Sequence, residues 1–172
     1  MWNPADHSPF PRLRRVTDTL YLVRHAKAGS RAEWVGDDTL RPLSKAGWKQ
    51  AEALARRMHR DATGDLYSSV YLRCIQTIEP LANRRRTKIV ADERLSEGVG
   101  FEGALELLAT LPKNSVLCSH GDIIPETIAA LERRGCSFLS PPEWRKASVW
   151  LLERNRLGQI VTAKAWPPPN AD

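Results

Sequence analysis

The chain has 172 residues, with 26 Lys and Arg against 20 Asp and Glu, a formal net charge of +6; the length fits one domain rather than two. Its 42% hydrophobic and 27% charged residues are too apolar for a disordered chain and too interrupted by charge for a membrane span. The positive balance suits anionic ligands but is modest. Runs such as Arg84-Arg85-Arg86 read as solvated helix ends, so neither a nucleic-acid nor a membrane partner is expected.

Residues 1–18 carry Pro4, Pro9 and Pro11 and lack the continuous apolar stretch of a secretory signal, which predicts an N-terminal tail and a cytoplasmic protein. A folded domain is expected over 19–166, with Pro167-Pro168-Pro169 opening a C-terminal tail over 167–172. Cys74, Cys118 and Cys136 are odd in number and form no C-x-x-C pair, which predicts buried thiols rather than disulfides or a zinc site.

Leu20-Tyr21-Leu22-Val23 is a continuous apolar run suited to a strand buried on both faces. Residues 44 to about 60 place Ala51, Leu54, Ala55 and Met58 on one helical face, with Ser44 as N-cap and Gly64 near the end. A short strand at 66–68 precedes a helix over about 70–83, with Tyr71, Ile75, Ile78 and Ala82 spaced for burial, and a short strand at 89–91. Residues 101–111 read as a helix stopped by Pro112, 115–119 as a buried strand, and 123–133 as a helix with Pro125 in its first turn. Strands at 149–152 and 160–163 complete the set. Strands alternating with helices predict an α/β fold of three layers, a mostly parallel central sheet with helices on both faces.

In such a sheet ligands collect beyond the carboxyl ends of the strands. The first strand runs into Arg24-His25 and the strand at 115–119 into His120-Gly121, which predicts two imidazoles at one sheet edge. The other histidines, His7 in the tail and His59 near a polar helix end, read as solvated side chains. Ser68-Ser69 ends a third strand, and Arg73 follows about one turn into the next helix, where free N–H groups favour an anion. Arg24 and Arg73 offer forked donors matched to phosphate oxygens, and a protonated His120 adds another.

Together, LVRHAKAGSR, RPLSKAGWKQAEALA, LYSSVYLRCIQTIEPLA, ERLSEG and VLCSHGD resemble the histidine phosphatase superfamily, with its phosphoglycerate-mutase-like fold, over about residues 19–165. The resemblance implies that His25 is a nucleophile that becomes phosphorylated. It further implies that Arg24, Arg73 and His120 hold the phosphoryl group and that Glu97 takes the place of the proton donor, with Asp122 as the rival acid. A neutral histidine nitrogen can attack phosphorus in line while cations stabilise the oxygens, so the chemistry in principle needs no metal or other cofactor. Ala26 stands where the family frequently has Gly, and Arg31 where many members have Asn. Arg31 reads equally as a further phosphate contact or a loop charge. Lys27 and Arg41 lie in HAKAG and RPLSKAG, segments similar to the bacterial phosphohistidine phosphatase branch, and could border the pocket mouth; Gly121, after His120, is a further candidate for substrate binding.

Only 22 residues separate Glu97 from His120, and a helix and a strand consume them, leaving no room there for the large lid of a mutase. Hydrolysis at an open pocket is therefore expected, first of phosphohistidine in proteins or another small phosphorylated substrate. The alternative is a nucleoside polyphosphate. LVRHAKAGSR and VLCSHGDIIPETI are similar to the phosphatase half of actinobacterial Nudix-phosphatase proteins, although only about 18 residues precede the first strand, too few for the Nudix half. Trp34 and Trp48 could stack on a base, but packing is the commoner fate of tryptophan. An inactive phosphate-binding module is a further alternative, which the complete set of Arg24, His25, Arg73 and His120 argues against. The sequence leaves oligomeric state open.

Overall fold

The computed structural model describes residues 17–170; residues 1–16 of the tail expected over 1–18, His7 among them, lie outside the described residues. Seven strands form one sheet in the order β3-β2-β4-β1-β6-β7-β5. They are β1 (Asp18–Arg24), β2 (Leu66–Ser68), β3 (Ile89–Ala91), β4 (Val116–Ser119), β5 (Ser137–Phe138), β6 (Val149–Arg154) and β7 (Ile160–Trp166). Four α-helices accompany them: α1 (Lys45–Met58), α2 (Leu72–Arg85), α3 (Glu102–Thr110) and α4 (Ile123–Arg133), with single-turn 3-10 helices at Asp38–Leu40 and Glu93–Leu95.

The sheet is mixed, which corrects the expectation of a mostly parallel one. β1, β2, β3 and β4 pair in parallel, but β6 runs antiparallel to both β1 and β7. The turn from Asn155 to Gly158 joins β6 to β7, and a connection that short permits only antiparallel pairing. The Asn155 side chain accepts the N–H groups of Leu157 and Gln159 and holds the turn, while Gly158 takes a φ of 79°.

Alternation along the strands divides the core in two. Leu20 and Leu22 of β1, Leu117 of β4 and Trp150 and Leu152 of β6 pack with α3 and α4 on one face. Tyr21, Val23, Val116, Cys118 and Val149 face α1 and α2 on the other. The three expected layers are thus present, and β1 and β4 are buried on both sides as their continuous apolar runs require. Among the described residues, no helix is long and apolar enough to cross a membrane.

Ser44 caps α1 by accepting the Gly47 N–H, and Ala51, Leu54, Ala55 and Met58 are buried. Gly47 is fixed by contact, since a Cβ there would lie 1.9 Å from the carbonyl oxygen of Lys27. The buried face of α2 is displaced from the expected one. Cys74, Thr77, Ile78, Leu81 and Ala82 are covered, whereas Tyr71 and Ile75 are half-buried, because this helix also carries Arg73 inward. All three cysteines are free and buried, as expected.

Candidate active site

Strand register builds the site. Arg24 of β1 pairs with Ser119 of β4, and Ser68 of β2 pairs with Cys118, so the residues that follow, His25, His120 and Ser69, emerge side by side at one sheet edge. The His25 N–H continues the ladder to the Ser119 carbonyl at 3.0 Å, and the Ser69 N–H reaches the Cys118 carbonyl at 2.9 Å. The two imidazoles meet edge to face with centroids 5.4 Å apart.

His25 is buried, and its Nδ1 lies 2.8 Å from the Ala26 carbonyl oxygen. A carbonyl can only accept, so Nδ1 carries the hydrogen and Nε2 keeps its lone pair. Burial, reinforced by the charges of His120, Arg73 and Lys146, pushes the His25 pKa down to about 3 against the pull of that carbonyl. The ring is therefore neutral at physiological pH and its free nitrogen is nucleophilic. The following peptide is fixed by α2, because Ala26 N–H donates to Thr77 Oγ1 at 2.9 Å.

His120 Nε2 lies 2.8 Å from Ser69 Oγ and 3.4 Å from Cys74 Sγ, and the Tyr71 ring packs edge-on at 4.7 Å. Its Nδ1 is buried with no partner among the described residues, and the same holds for Arg24 Nε and Arg73 Nε. Buried unpaired polar atoms cost about 1–3 kcal/mol each, so their gathering around one pair of histidines marks a site shaped for something other than stability. The Arg24 guanidinium donates from Nη1 to the Trp144 carbonyl and crosses directly over Gly121, where a Cβ would lie 2.5 Å from Nη2.

A cleft of about 410 Å³ opens over these groups. Its lining includes Arg24, His25, Lys27, Arg31, Glu97, His120, Gly121 and Asp122, which the sequence singled out, together with Arg41. Arg73 is brought to the same place but lies behind this lining, buried. It donates to Glu97 Oε2 at 2.8 Å and to the Asp38 carbonyl at 2.9 Å, with the Asp38 carboxylate at 3.1 Å. Glu97 also accepts from Arg31 on both oxygens, at 2.8 and 2.9 Å. Arg31 is thus an ion-pair partner of the expected proton donor as well as a cleft residue. Asp122 accepts the Gly98 N–H at 2.7 Å, and its other oxygen is buried and unpaired.

Sequence reasoning missed two residues here. Asp38, on a 3-10 turn, gathers Arg31, Arg41 and Arg73, and its hydrogen bond from Arg41 holds its carboxyl below the usual carboxylate range. Lys146 enters the cleft from the irregular segment before β6, and burial, then Arg24, Arg41, Arg73 and Lys27, lowers its pKa. No motif surrounds Lys146 that could have flagged it. Of Trp34 and Trp48, Trp48 packs against the core with α1, whereas Trp34 is 37% exposed beside the cleft, contrary to the expectation of packing. His59 is exposed, as expected.

The model of the histidine phosphatase superfamily (branch 1) matches residues 20–106. The chain belongs to this superfamily. A protein of Mycolicibacterium smegmatis named 8-oxo-(d)GTP phosphatase is 35% identical over 190 aligned positions, covering 99% of this chain and 59% of the relative. The chain therefore spans about three-fifths of that relative's length. Among solved structures, a phosphohistidine phosphatase SixA assignment from Agrobacterium tumefaciens is 25% identical, with a TM-score of 0.65 over 80% of this chain and 92% of that one. A SixA-named protein from Nakamurella multipartitia shares the fold at 24% identity and a TM-score of 0.66, over 87% and 94%. The Mycolicibacterium and Agrobacterium relatives are phosphatases by their descriptions.

Proposed function

We propose that the chain transfers the terminal phosphoryl group of a nucleoside di- or triphosphate to His25 Nε2 and then to water. The single observation that supports the chemistry most is His25 itself, held neutral with Nδ1 tied to Ala26 and Nε2 free. Attack by that nitrogen forms a P–N bond as the bond to the leaving oxygen breaks. Arg24, His120 and, once Glu97 exchanges its contacts, Arg73 offset the charge on the phosphoryl oxygens. Glu97 is assigned as the acid that protonates the leaving oxygen. As carboxylate it then takes a proton from the water that attacks phosphorus and releases His25. Its present contacts to Arg31 and Arg73 are the ones a phosphoryl group would take over. Positive charge comes from side chains, so turnover proceeds in excess chelator.

The substrate class follows the 35% identical relative, which reverses the order expected from sequence. Phosphohistidine on another protein is the second reading, favoured by the SixA-named relative at 25% identity. A cytoplasmic site of action accompanies the nucleotide reading. The test is a panel of nucleoside di- and triphosphates, a phosphohistidine-bearing protein and sugar phosphates, read by phosphate release. The nucleotides should give the highest kcat/KM; a preference of tenfold or more for phosphohistidine would transfer the assignment to the second reading.

A further inference from the structure

A second cleft, of about 390 Å³, adjoins the catalytic one and is lined by Arg31, Trp34, Gly36, Asp38 and Glu97. Arg31 and Glu97 line both, so the two spaces share a wall. Trp34 is 37% exposed there, and its Nε1 donates to the Asp37 carbonyl at 3.0 Å. That bond occupies the indole's sole donor and fixes the ring, so what Trp34 presents to the cleft is aromatic surface. Gly36 supplies the turn that brings Asp37 back to it, with a φ of 111° that a side chain would strain.

Charge around the catalytic cleft exceeds what one phosphoryl group requires. Arg31, Arg41 and Arg73 are ion-paired with Asp38 and Glu97, three cations against two carboxylates. Arg24, Lys27 and Lys146 also line the cleft, and among the described residues none of the three has a carboxylate in ion-pair contact. With Arg24 beside His25, the two lysines are surplus to the reacting phosphoryl group. Their mutual crowding with the arginines is relieved by additional anionic oxygens.

We propose that the Trp34 cleft is a base subsite: a purine or pyrimidine ring stacks on Trp34 while the phosphate chain runs past Lys27 and Lys146 to His25. The proposal rests on the nucleotide reading above and specifies which residues recognise the part of the substrate that does not react. Stacking on an exposed aromatic is sequence-tolerant, so the subsite takes the planar ring as such and leaves discrimination among bases to edge contacts.

The experiment compares Trp34→Ala, Trp34→Phe and wild type on GTP and on inorganic triphosphate, a substrate with the same charge chain and no base. Equilibrium binding of both ligands is measured in parallel on the His25→Ala background. Trp34→Ala should lower kcat/KM for GTP about tenfold relative to that for inorganic triphosphate, mainly through KM, and weaken GTP binding by a similar factor. Trp34→Phe should restore most of the loss. GTP turnover unaffected by Trp34→Ala, or an equal fall on both substrates, would overturn the subsite and leave the phosphatase reading intact. GTP binding that depends on Trp34 without GTP hydrolysis would support the subsite and overturn the nucleotide as substrate. Failure of the wild type both to bind and to hydrolyse GTP would overturn both.

Discussion

Gly121 lies directly beneath the Arg24 guanidinium, so closely that a Cβ at 121 would stand 2.5 Å from Nη2 and 2.7 Å from Cζ. The atoms in the way are the far end of a side chain, which can move without disturbing the backbone. Gly121→Ala should therefore fold normally, with stability changed by less than about 1 kcal/mol. Its kcat/KM should fall about a hundredfold, because the displaced guanidinium no longer meets the phosphoryl oxygens. Denaturant unfolding beside phosphate-release kinetics would check this; unchanged activity would show that Arg24 has no fixed role.

Gly47 gives the opposite result for a physical reason visible in the same terms. A Cβ there would lie 1.9 Å from the Lys27 carbonyl oxygen, which is backbone and is already held by the Ser44 N–H at 2.9 Å. Gly47→Ala should destabilise the protein by about 1–3 kcal/mol, as overpacking does. A denaturation midpoint equal to that of wild type would mean that α1 and the segment after β1 are less tightly joined than described.

His25 makes stability depend on pH. Its folded pKa, about 3, lies below the ordinary histidine value of 6.5, so between those values the unfolded chain binds the additional proton. Stability from this residue is complete above about pH 6.5 and is lost as pH falls, by up to about 1.4 kcal/mol per pH unit. His25→Asn removes the effect. Unfolding free energies at pH 7 and pH 5 should differ more for wild type than for the variant, and equal differences would contradict a buried neutral His25.

Glu97 and Asp122 are separated by their leaving-group dependence. Glu97→Gln should slow hydrolysis of phosphate esters and anhydrides far more than that of a phosphoramidate, whose leaving nitrogen needs less help from an acid. Equal losses on both would remove the donor role from Glu97. The selective pattern appearing instead in Asp122→Asn would assign it to Asp122, whose unpaired oxygen is buried beside the cleft.

Ser69 tests how His120 is positioned. Ser69→Ala removes the contact to His120 Nε2 at 2.8 Å without disturbing the ladder bond from its backbone N–H. A fall in kcat of about tenfold with KM little changed is expected, as for loss of a single orienting hydrogen bond. A change confined to KM would place the effect in ground-state binding instead.

The parts of this site that were legible in sequence are those tied to strand ends. β1 and β4 are continuous apolar runs, so the position of His25 and His120 at one edge follows once the strands are parallel neighbours. Arg73 was legible through its distance from Ser69 along a helix start. The short link between the last two strands already demanded one reversal, but which of them runs against β1 was not legible, because alternation of side chains is the same in either strand direction. β5, with two residues, is too short for any period to register. Asp38 and Lys146 reach the site from a 3-10 turn and an irregular segment, whose positions are set by tertiary contacts such as the Arg24 bond to the Trp144 carbonyl. The exposure of Trp34 was likewise hidden, since it lies in an irregular segment with no period from which burial could be read.

The central claim is that His25 carries the phosphoryl group with cationic side chains in place of a metal. Phosphate release from GTP in excess chelator, compared between wild type and His25→Ala, tests it most directly. Release that withstands the chelator and is lost by at least about a thousandfold in His25→Ala is the expected result. Release that persists in His25→Ala, or that the chelator abolishes in wild type, would contradict the account.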